Sequence, residues 1–444
     1  MGAMHRIRKL SSSQIILFGF ALVILVGALL LMLPISSRDG KVTPFFDCLF
    51  TSTSAVCVTG LIVHDTATHW SAFGQGLILL LIQIGGMGVI TVAAAITMAA
   101  GKKISLKQRS TMQDAVSAHH VGGIVRFTGF ILKGIFLVEL VGALVMAPVF
   151  IPAYGWGRGI WMSVFHSVSA FCNAGFDLMG MEAPFSSLTS FVSHPVINIA
   201  VTLLIIVGGL GFLTWQDIRE NGIRFRRYRL QSKVILTTTA FLLVLPALYF
   251  FFVEFSHLPL KQRLWGSWFQ SVTARTAGFN TLDLASMSDS GKMIMSLLMI
   301  VGGSPGSTAG GMKTTTLAVL AACAVSVFRK RDNGQMFGRR IEDDTLKNAV
   351  TVLLLYFTSF FTGGILISLF EGLPLITCLF ESASAVGTVG LTLGITPGLG
   401  IASRLILIAQ MFIGRVGGLT LIFATLPATK NTLSKLPLEK ITVG

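Results

Sequence analysis

The chain has 444 residues, 53% hydrophobic and 12% charged, and its mean hydropathy of +0.77 excludes a soluble globular protein. Lys and Arg outnumber Asp and Glu by 34 to 19, but they cluster in short stretches between apolar runs. The net charge of +15 therefore reports membrane topology and contact with anionic membrane lipids, with no nucleic-acid partner expected. Five cysteines without paired spacing exclude a disulfide framework and read as small buried thiols, with no redox or metal role.

A helix needs about twenty apolar residues to cross a hydrocarbon core roughly 30 Å thick. In chain order, stretches near residues 14–34, 74–100, 127–151, 190–215, 234–254, 291–326, 348–370 and 399–427 meet that length. The first is long enough to span and is expected to stay as a helix, not to be cleaved as a signal peptide. Between the members of each pair lies a segment too short to cross, which reads as a re-entrant pore helix and loop. Basic clusters fall before the first pair (His5, Arg6, Arg8, Lys9) and between pairs: Lys102, Lys103, Lys107, Arg109 and Arg126; Arg219 to Lys233; Arg329 to Lys347. The loops inside pairs are poorer in basic residues, so both termini are predicted in the cytoplasm, with the re-entrant loops opening outward.

Each short segment carries the same phrase, a Phe with hydroxyl residues two and four positions later and a Gly about ten positions on. The copies are Phe50–Gly60, Phe165–Gly175, Phe269–Gly278 (one residue shorter) and Phe380–Gly390. Fourfold recurrence means one supersecondary unit used four times. The predicted fold is all-α integral membrane, four fused helix–pore-loop–helix repeats over 1–110, 111–222, 223–335 and 336–444, with eight transmembrane helices and four re-entrant pore helices around a central pore. A helix that stops within the membrane aims the negative end of its dipole at the bilayer centre, which favours a cation there. The chain must leave in extended form, and Gly60, Gly175, Gly278 and Gly390 permit backbone angles that let carbonyls face one axis and replace a cation's water shell.

The second span of each pair is also marked by glycine: Gly85-Gly86-Met87-Gly88, Gly208-Gly209-Leu210-Gly211, Gly302-Gly303, and Gly414-Arg415-Val416-Gly417-Gly418. In the third pair the mark extends through Ser304, Pro305, Gly306, Ser307, Thr308, Ala309, Gly310 and Gly311, which no helix would choose. The third helix is predicted to break there, under the loops, because irregular backbone at membrane depth survives only within protein or beside a water-filled cavity. The run ends Gly311-Met312-Lys313-Thr314, which interrupts the Gly-Lys-Thr of a phosphate-binding loop, so no nucleotide site is expected on this chain. Arg415 stands inside an apolar span, where a charge costs at least about 2.5 kcal/mol, and is expected to face the axis as a barrier to cations, with Lys313 as a second contributor. Asp65, Asp177, Asp283 and Glu381 flank the loops as candidates for concentrating cations, and Glu381 alternatively ties its loop down. The spans carry no paired His-Glu metal motif and no Ser or Asp pair at catalytic spacing, so an enzyme is not expected. An alternating-access carrier, including a Na⁺-coupled symporter, stands as the alternative to a channel-like conduit.

On these four phrases and the glycine-marked spans, the sequence resembles the membrane subunit of the Trk/Ktr/HKT superfamily of potassium transporters over nearly its whole length. It is most similar to the shorter Ktr branch of KtrB-type subunits. The resemblance implies K⁺ as the transported ion and filter strands at Val58-Thr59-Gly60, Asn173-Ala174-Gly175, Thr276-Ala277-Gly278 and Thr388-Val389-Gly390, with K⁺ on the glycine carbonyls. These depart from the Thr-Val-Gly-Tyr-Gly of potassium channels, which leaves discrimination against Na⁺ open. It further implies an intramembrane gating loop at Gly303–Gly311, a homodimer, a cytosolic ring of nucleotide-binding regulatory subunits (KtrA-like), and a bacterial plasma-membrane location.

Overall fold

The computed structural model describes residues 11–99, 106–115, 123–425 and 439. The basic residues His5, Arg6, Arg8, Lys9, Lys102 and Lys103, and both termini, lie outside the described residues. In chain order the helices are α1 (Ser12–Leu31), α2 (Phe45–Val56), the single turn α3 (Thr66–His69), α4 (Ala72–Met87), α5 (Val89–Ala99), α6 (Leu106–Ala115), α7 (Ile124–Tyr154), α8 (Trp156–Phe171) and α9 (Pro195–Gly209). They continue with α10 (Phe212–Asn221), α11 (Leu230–Tyr249), α12 (Leu260–Thr273), α13 (Asp289–Ile300), α14 (Thr314–Phe328), α15 (Asp343–Glu371), α16 (Leu375–Val386), α17 (Ile401–Val416) and α18 (Gly418–Thr425). A two-residue hairpin, Gln335–Met336 against Arg339–Arg340, is the described sheet.

Four helices are long and apolar enough to cross a membrane unbroken: α1, α7, α11 with its π-turn to Glu254, and α15. On α7 the inward stripe runs Ile131, Ile135, Glu139, Gly142, Met146 and Phe150, near helical spacing. The opposite side exposes Leu137, Leu140 and Leu144 at 57–63%, a surface suited to lipid rather than water. Ser11 starts α1 as a capping box with Gln14, and Ser71 and Ser288 cap α4 and α13 in the same chemical way.

The partners of these long helices are not the straight spans expected. The pairs α4 and α5, α9 and α10, and α17 and α18 bend by 96°, 98° and 94°. Gly88, Gly211 and Gly417 stand at the bends with φ of 84°, 85° and 89°, a left-handed backbone that ends the helix at each point. The stretch 291–326, also expected as one span, is α13 and α14 with the predicted break between them.

The short helices α2, α8, α12 and α16 each lie against the long helix before them, and the repeated phrase explains how. Phe50, Phe165, Phe269 and Phe380 are wholly buried. Two residues on, each hydroxyl donates across to a carbonyl of the preceding long helix: Ser52 to Ile24 (2.7 Å), Ser167 to Glu139 (2.5 Å), Ser271 to Leu243 (2.6 Å) and Ser382 to Phe360 (2.7 Å). With lipid tails as apolar as Leu, packing and such hydrogen bonds hold helices together. Removing the hydroxyl in Ser271→Ala should lower stability by about 0.5–1.5 kcal/mol. Thermal unfolding of the detergent-solubilised protein measures this, and an unshifted midpoint would mean the tie between α11 and α12 contributes nothing.

Candidate functional site

After each short helix the chain reverses hand at alternate residues. Val58 and Gly60 have φ of 56° and 95°, Asn173 and Gly175 60° and 68°, Thr276 and Gly278 70° and 84°, and Thr388 and Gly390 52° and 94°. Three of the non-glycine positions hold β-branched residues, for which this backbone is a true outlier costing roughly 1–3 kcal/mol. What holds it is a set of N–H bonds back to the short helices: Thr59 to Ser54 O, Ala174 to Ser169 O and Val389 to Ser384 O at 2.8 Å, and Ala277 to Thr273 O at 3.0 Å. A trans peptide carries its C=O opposite its N–H, so the carbonyls of Val58, Asn173, Thr276 and Thr388 point away from the short helices. No described donor bonds to any carbonyl of the four strands 58–60, 173–175, 276–278 and 388–390.

The four strands meet. A Cβ added to Gly60 would lie under 3.0 Å from the Ala174 carbonyl oxygen. The same holds for Gly175 against Ala277, Gly278 against Val389, and Gly390 against Thr59. The contacts close a ring in chain order. All twelve predicted filter residues, Val58, Thr59, Gly60, Asn173, Ala174, Gly175, Thr276, Ala277, Gly278, Thr388, Val389 and Gly390, are buried. Opposite charges help close the ring between its last and first members, where Arg404 of α17 meets Asp47 of α2 at 2.6 Å.

The second hydroxyl of the phrase works in two ways. Ser54 and Ser384 accept from the N–H of Gly60 and Gly390 at 3.0 Å, whereas Ser169 and Thr273 donate to the carbonyls of Phe176 and Phe279 at 2.7 and 2.6 Å. The residue just after each Phe also differs. His166 has Nδ1 on the Met162 carbonyl (2.7 Å) and Nε2 on the Leu178 N–H (3.3 Å), a pattern only the neutral Nδ1–H tautomer satisfies. Glu381 accepts from the Thr392 hydroxyl, the Leu393 N–H (3.2 Å) and the Thr396 hydroxyl (3.0 Å), so it ties its loop down. Asp65 is likewise a local anchor, capping α3 and accepting from the Phe185 N–H at 2.9 Å. Asp177 accepts from the Met179 N–H at 2.9 Å and Asp283 from the Ala285 N–H at 3.0 Å. Beyond the Gly60 strand, His64 and His69 stack with centroids 4.1 Å apart, and burial, with the charge of His64 beside it, holds the His69 imidazole below its usual value.

Beneath the ring lies the glycine-rich segment between α13 and α14. Its Ser304 and Thr308 N–H groups bond to the carbonyls of Gly209 (3.0 Å) and Gly208 (3.2 Å), and the Gly311 N–H to that of Gly414 (3.2 Å). A Cβ on Gly310 would strike the Thr388 side chain, which puts this segment directly against the ring. Arg415 donates to the carbonyls of Thr308, Gly85 and Gly86, and Lys313 to those of Ala309 (2.9 Å) and Gly310 (3.5 Å). Both half-buried cations line a cavity of about 350 Å³ with Gly306, Ser307 and Gly311. Gly303 and Pro305 complete the predicted gate set, and the Gly303 carbonyl accepts from the Thr314 N–H at 3.1 Å.

Two charged residues were not anticipated. Arg275, the residue before the third strand, is 7% exposed and donates to the Gly302 carbonyl at 3.2 Å. Glu139 of α7 takes the Gln83 amide at 3.2 Å, close to the Cys172 thiol. The rule that marks Arg415, a charge inside an apolar span, marks Glu139 equally.

The cation transport protein model named TrkH matches residues 10–433. The chain belongs to the TrkH family of cation transport proteins. It is 40% identical to the potassium/sodium uptake protein NtpJ of Enterococcus hirae, over 99% of each chain. To the Ktr system potassium uptake protein B of Bacillus subtilis it is also 40% identical, over 94% of this chain and 93% of that one. Identity to the protein of that name from Vibrio alginolyticus is 34%, over 97% and 94%. The crystal structure of the potassium transporter TrkH from Vibrio parahaemolyticus superposes with a TM-score of 0.73 at 18% identity, covering 96% of this chain and 86% of that one, and so shares the fold. Membership makes this a membrane transporter of cations and not an enzyme. Glu381→Ala frees the loop that carries the fourth strand and should raise the transport KM several-fold, with a smaller change in maximal rate. An unchanged KM in cation-uptake assays would show that the strand holds its place without the carboxylate.

Proposed function

We propose that the chain mediates channel-like uptake of K⁺ across a bacterial plasma membrane, through a ring of backbone carbonyls gated from below. The observation that carries this reading is the ring itself: four strands, closed glycine to neighbouring carbonyl, with N–H groups bound outward and carbonyls left without donors. Such oxygens suit a cation that sheds its water, and the C-terminal ends of four short helices add negative potential. The naming of two relatives for potassium uptake and one for potassium and sodium supports K⁺ as cargo, with Na⁺ the competing ion. In this reading the chain is four fused repeats, with eight spans if each bent pair and the α13–α14 pair count as one crossing.

The segment Gly303–Gly311 is the gate, and Arg415 is its lock. The guanidinium places a full positive charge in the path below the ring and binds the segment to the end of α4. A cytosolic nucleotide-binding subunit is proposed as partner, supported by the word "system" in the names of the Bacillus and Vibrio relatives, and a homodimer is proposed on the family resemblance alone. The basic, partly apolar surface around Arg224–Arg229 and the hairpin, joined by the Phe225 and Phe337 rings at 6.2 Å, offers a docking face.

Expression in cells lacking their own potassium uptake tests the filter. Wild type should restore growth at low K⁺. Gly278→Ser should weaken K⁺ affinity strongly, because φ is 84° there and a side chain would enter the ring. Equal uptake by both proteins would assign the glycines to packing and give way to the carrier mechanism. For the lock, Arg415→Ala should raise maximal K⁺ flux, since the guanidinium ties the gate to the end of α4. Flux at or below the wild-type level in folded protein would remove the barrier from the mechanism.

A further inference from the structure

We infer that Thr308 of the glycine-rich segment is a specificity-determining residue, through which the position of the gate sets the geometry of the filter. The inference rests on the filter-and-gate reading above and names a link within it. Thr308 faces both parts of the machinery. Its carbonyl receives Arg415, and its hydroxyl lies 3.0 Å from the carbonyl of Phe171, the last residue of α8, and 3.3 Å from Oδ1 of Asn173. One hydroxyl proton serves both acceptors, so either bond keeps Thr308 seated against the second strand.

Asn173 passes the contact on. It holds φ of 60° at the first position of its strand, a backbone Asn tolerates better than most residues. Its side-chain amide reaches sideways to the third strand, with Nδ2 donating to Thr276 Oγ1 at 3.3 Å and to the Arg275 carbonyl at 3.4 Å. Arg275 in turn donates to the Gly302 carbonyl, at the start of the glycine-rich segment. The second and third strands are thus joined to each other and to two separate points of the gate. Gly208 makes room for this junction: a Cβ there would lie 2.9 Å from both Asn173 Oδ1 and Thr308 Oγ1, and closer still to the Phe171 carbonyl. These groups are wholly or almost wholly buried, so Asn173 Oδ1 has no ready substitute for Thr308 when the segment moves aside.

Lifting the gate therefore removes the Asn173 acceptor bond and loosens the amide that positions Thr276. Carbonyl spacing in two of the four strands then differs between gate positions; ions are selected on the filter while the gate is seated, so the ratio of KM values reports the bonded state. Arg415→Ala and a change at Thr308 are separated by this argument. The first removes the barrier charge together with a bond to the Thr308 carbonyl, while the second removes only the hydroxyl contact and acts on selectivity with the barrier charge in place.

The test compares Thr308→Val, isosteric without the hydroxyl, Thr308→Ala, and Thr308→Ser, which retains it. Folded protein is confirmed by size-exclusion profile, and K⁺ and Na⁺ uptake are measured alongside Gly278→Ser. Losing one neutral hydrogen bond should change the ratio of K⁺ to Na⁺ KM values by roughly two- to tenfold in the valine and alanine proteins. The serine protein should keep the wild-type ratio. If all three share the wild-type ratio, or if serine shifts it as valine does, the coupling is wrong. If Gly278→Ser itself leaves K⁺ affinity unchanged, the filter reading falls first, whatever Thr308 does.

Discussion

The constraint on which the rest depends is that a peptide unit carries its N–H and C=O in opposite directions. Once the four short helices have captured the N–H groups of residues 59, 174, 277 and 389, the preceding carbonyls must point away from those helices. Buried carbonyls without donors would destabilise an ordinary core. Here they are supported from behind by the serine ties to the long helices, and by the His166 and Glu381 anchors on two exit loops. The strain at Val58, Thr276 and Thr388 fits the same picture, because a left-handed backbone at a β-branched residue persists only where its surroundings determine it fully.

The charges below the ring follow from the helix ends. Each bent span leaves carbonyls without helical partners, at Gly86 of α4, Gly208 and Gly209 of α9, and Gly414 of α17, and the Gly85 carbonyl takes only the Gly88 cap N–H from its own helix. The glycine-rich segment supplies N–H groups to the second and third of these, and Arg415 supplies its guanidinium to the first. In the proposed mechanism, satisfying helix ends and closing the path are one act: a segment that moves aside gives up its bonds to the carbonyls of α9 and α17. The glycines permit the approach, since a Cβ at Gly85, Gly208 or Gly414 would strike the end of the neighbouring short helix.

What could be read in the sequence was whatever the chain repeats. Four Phe residues, eight hydroxyls and four glycines, the third glycine one position early, give the short helices, their ties and the ring, because the Phe, the first hydroxyl and the Gly have the same physical task in every copy. The break between α13 and α14 was legible for the opposite reason, as a run of Gly, Ser and Pro that no helix sustains. Less visible were the bends at Gly88, Gly211 and Gly417, since glycine clusters in an apolar run also suit close helix packing in a straight span. Asn173 was read for its backbone alone, and its side chain proves to join two strands and the gate. Arg275 was masked by the shortened third copy, where the Ala277 N–H returns to a residue four back, while its counterparts reach five back.

The quarters are alike in backbone and unlike in support. The fourth loop is fastened by a carboxylate with three donors and the second by an imidazole with two bonds. At the matching place in the third stands Gln270, fully buried, with neither amide atom bonded within the described structure. That same quarter has the shortened loop, the buried Arg275 and the glycine-rich segment. A repeat architecture concentrates change where one copy is released from the demands of symmetry, and here the released copy carries the segment proposed as the gate.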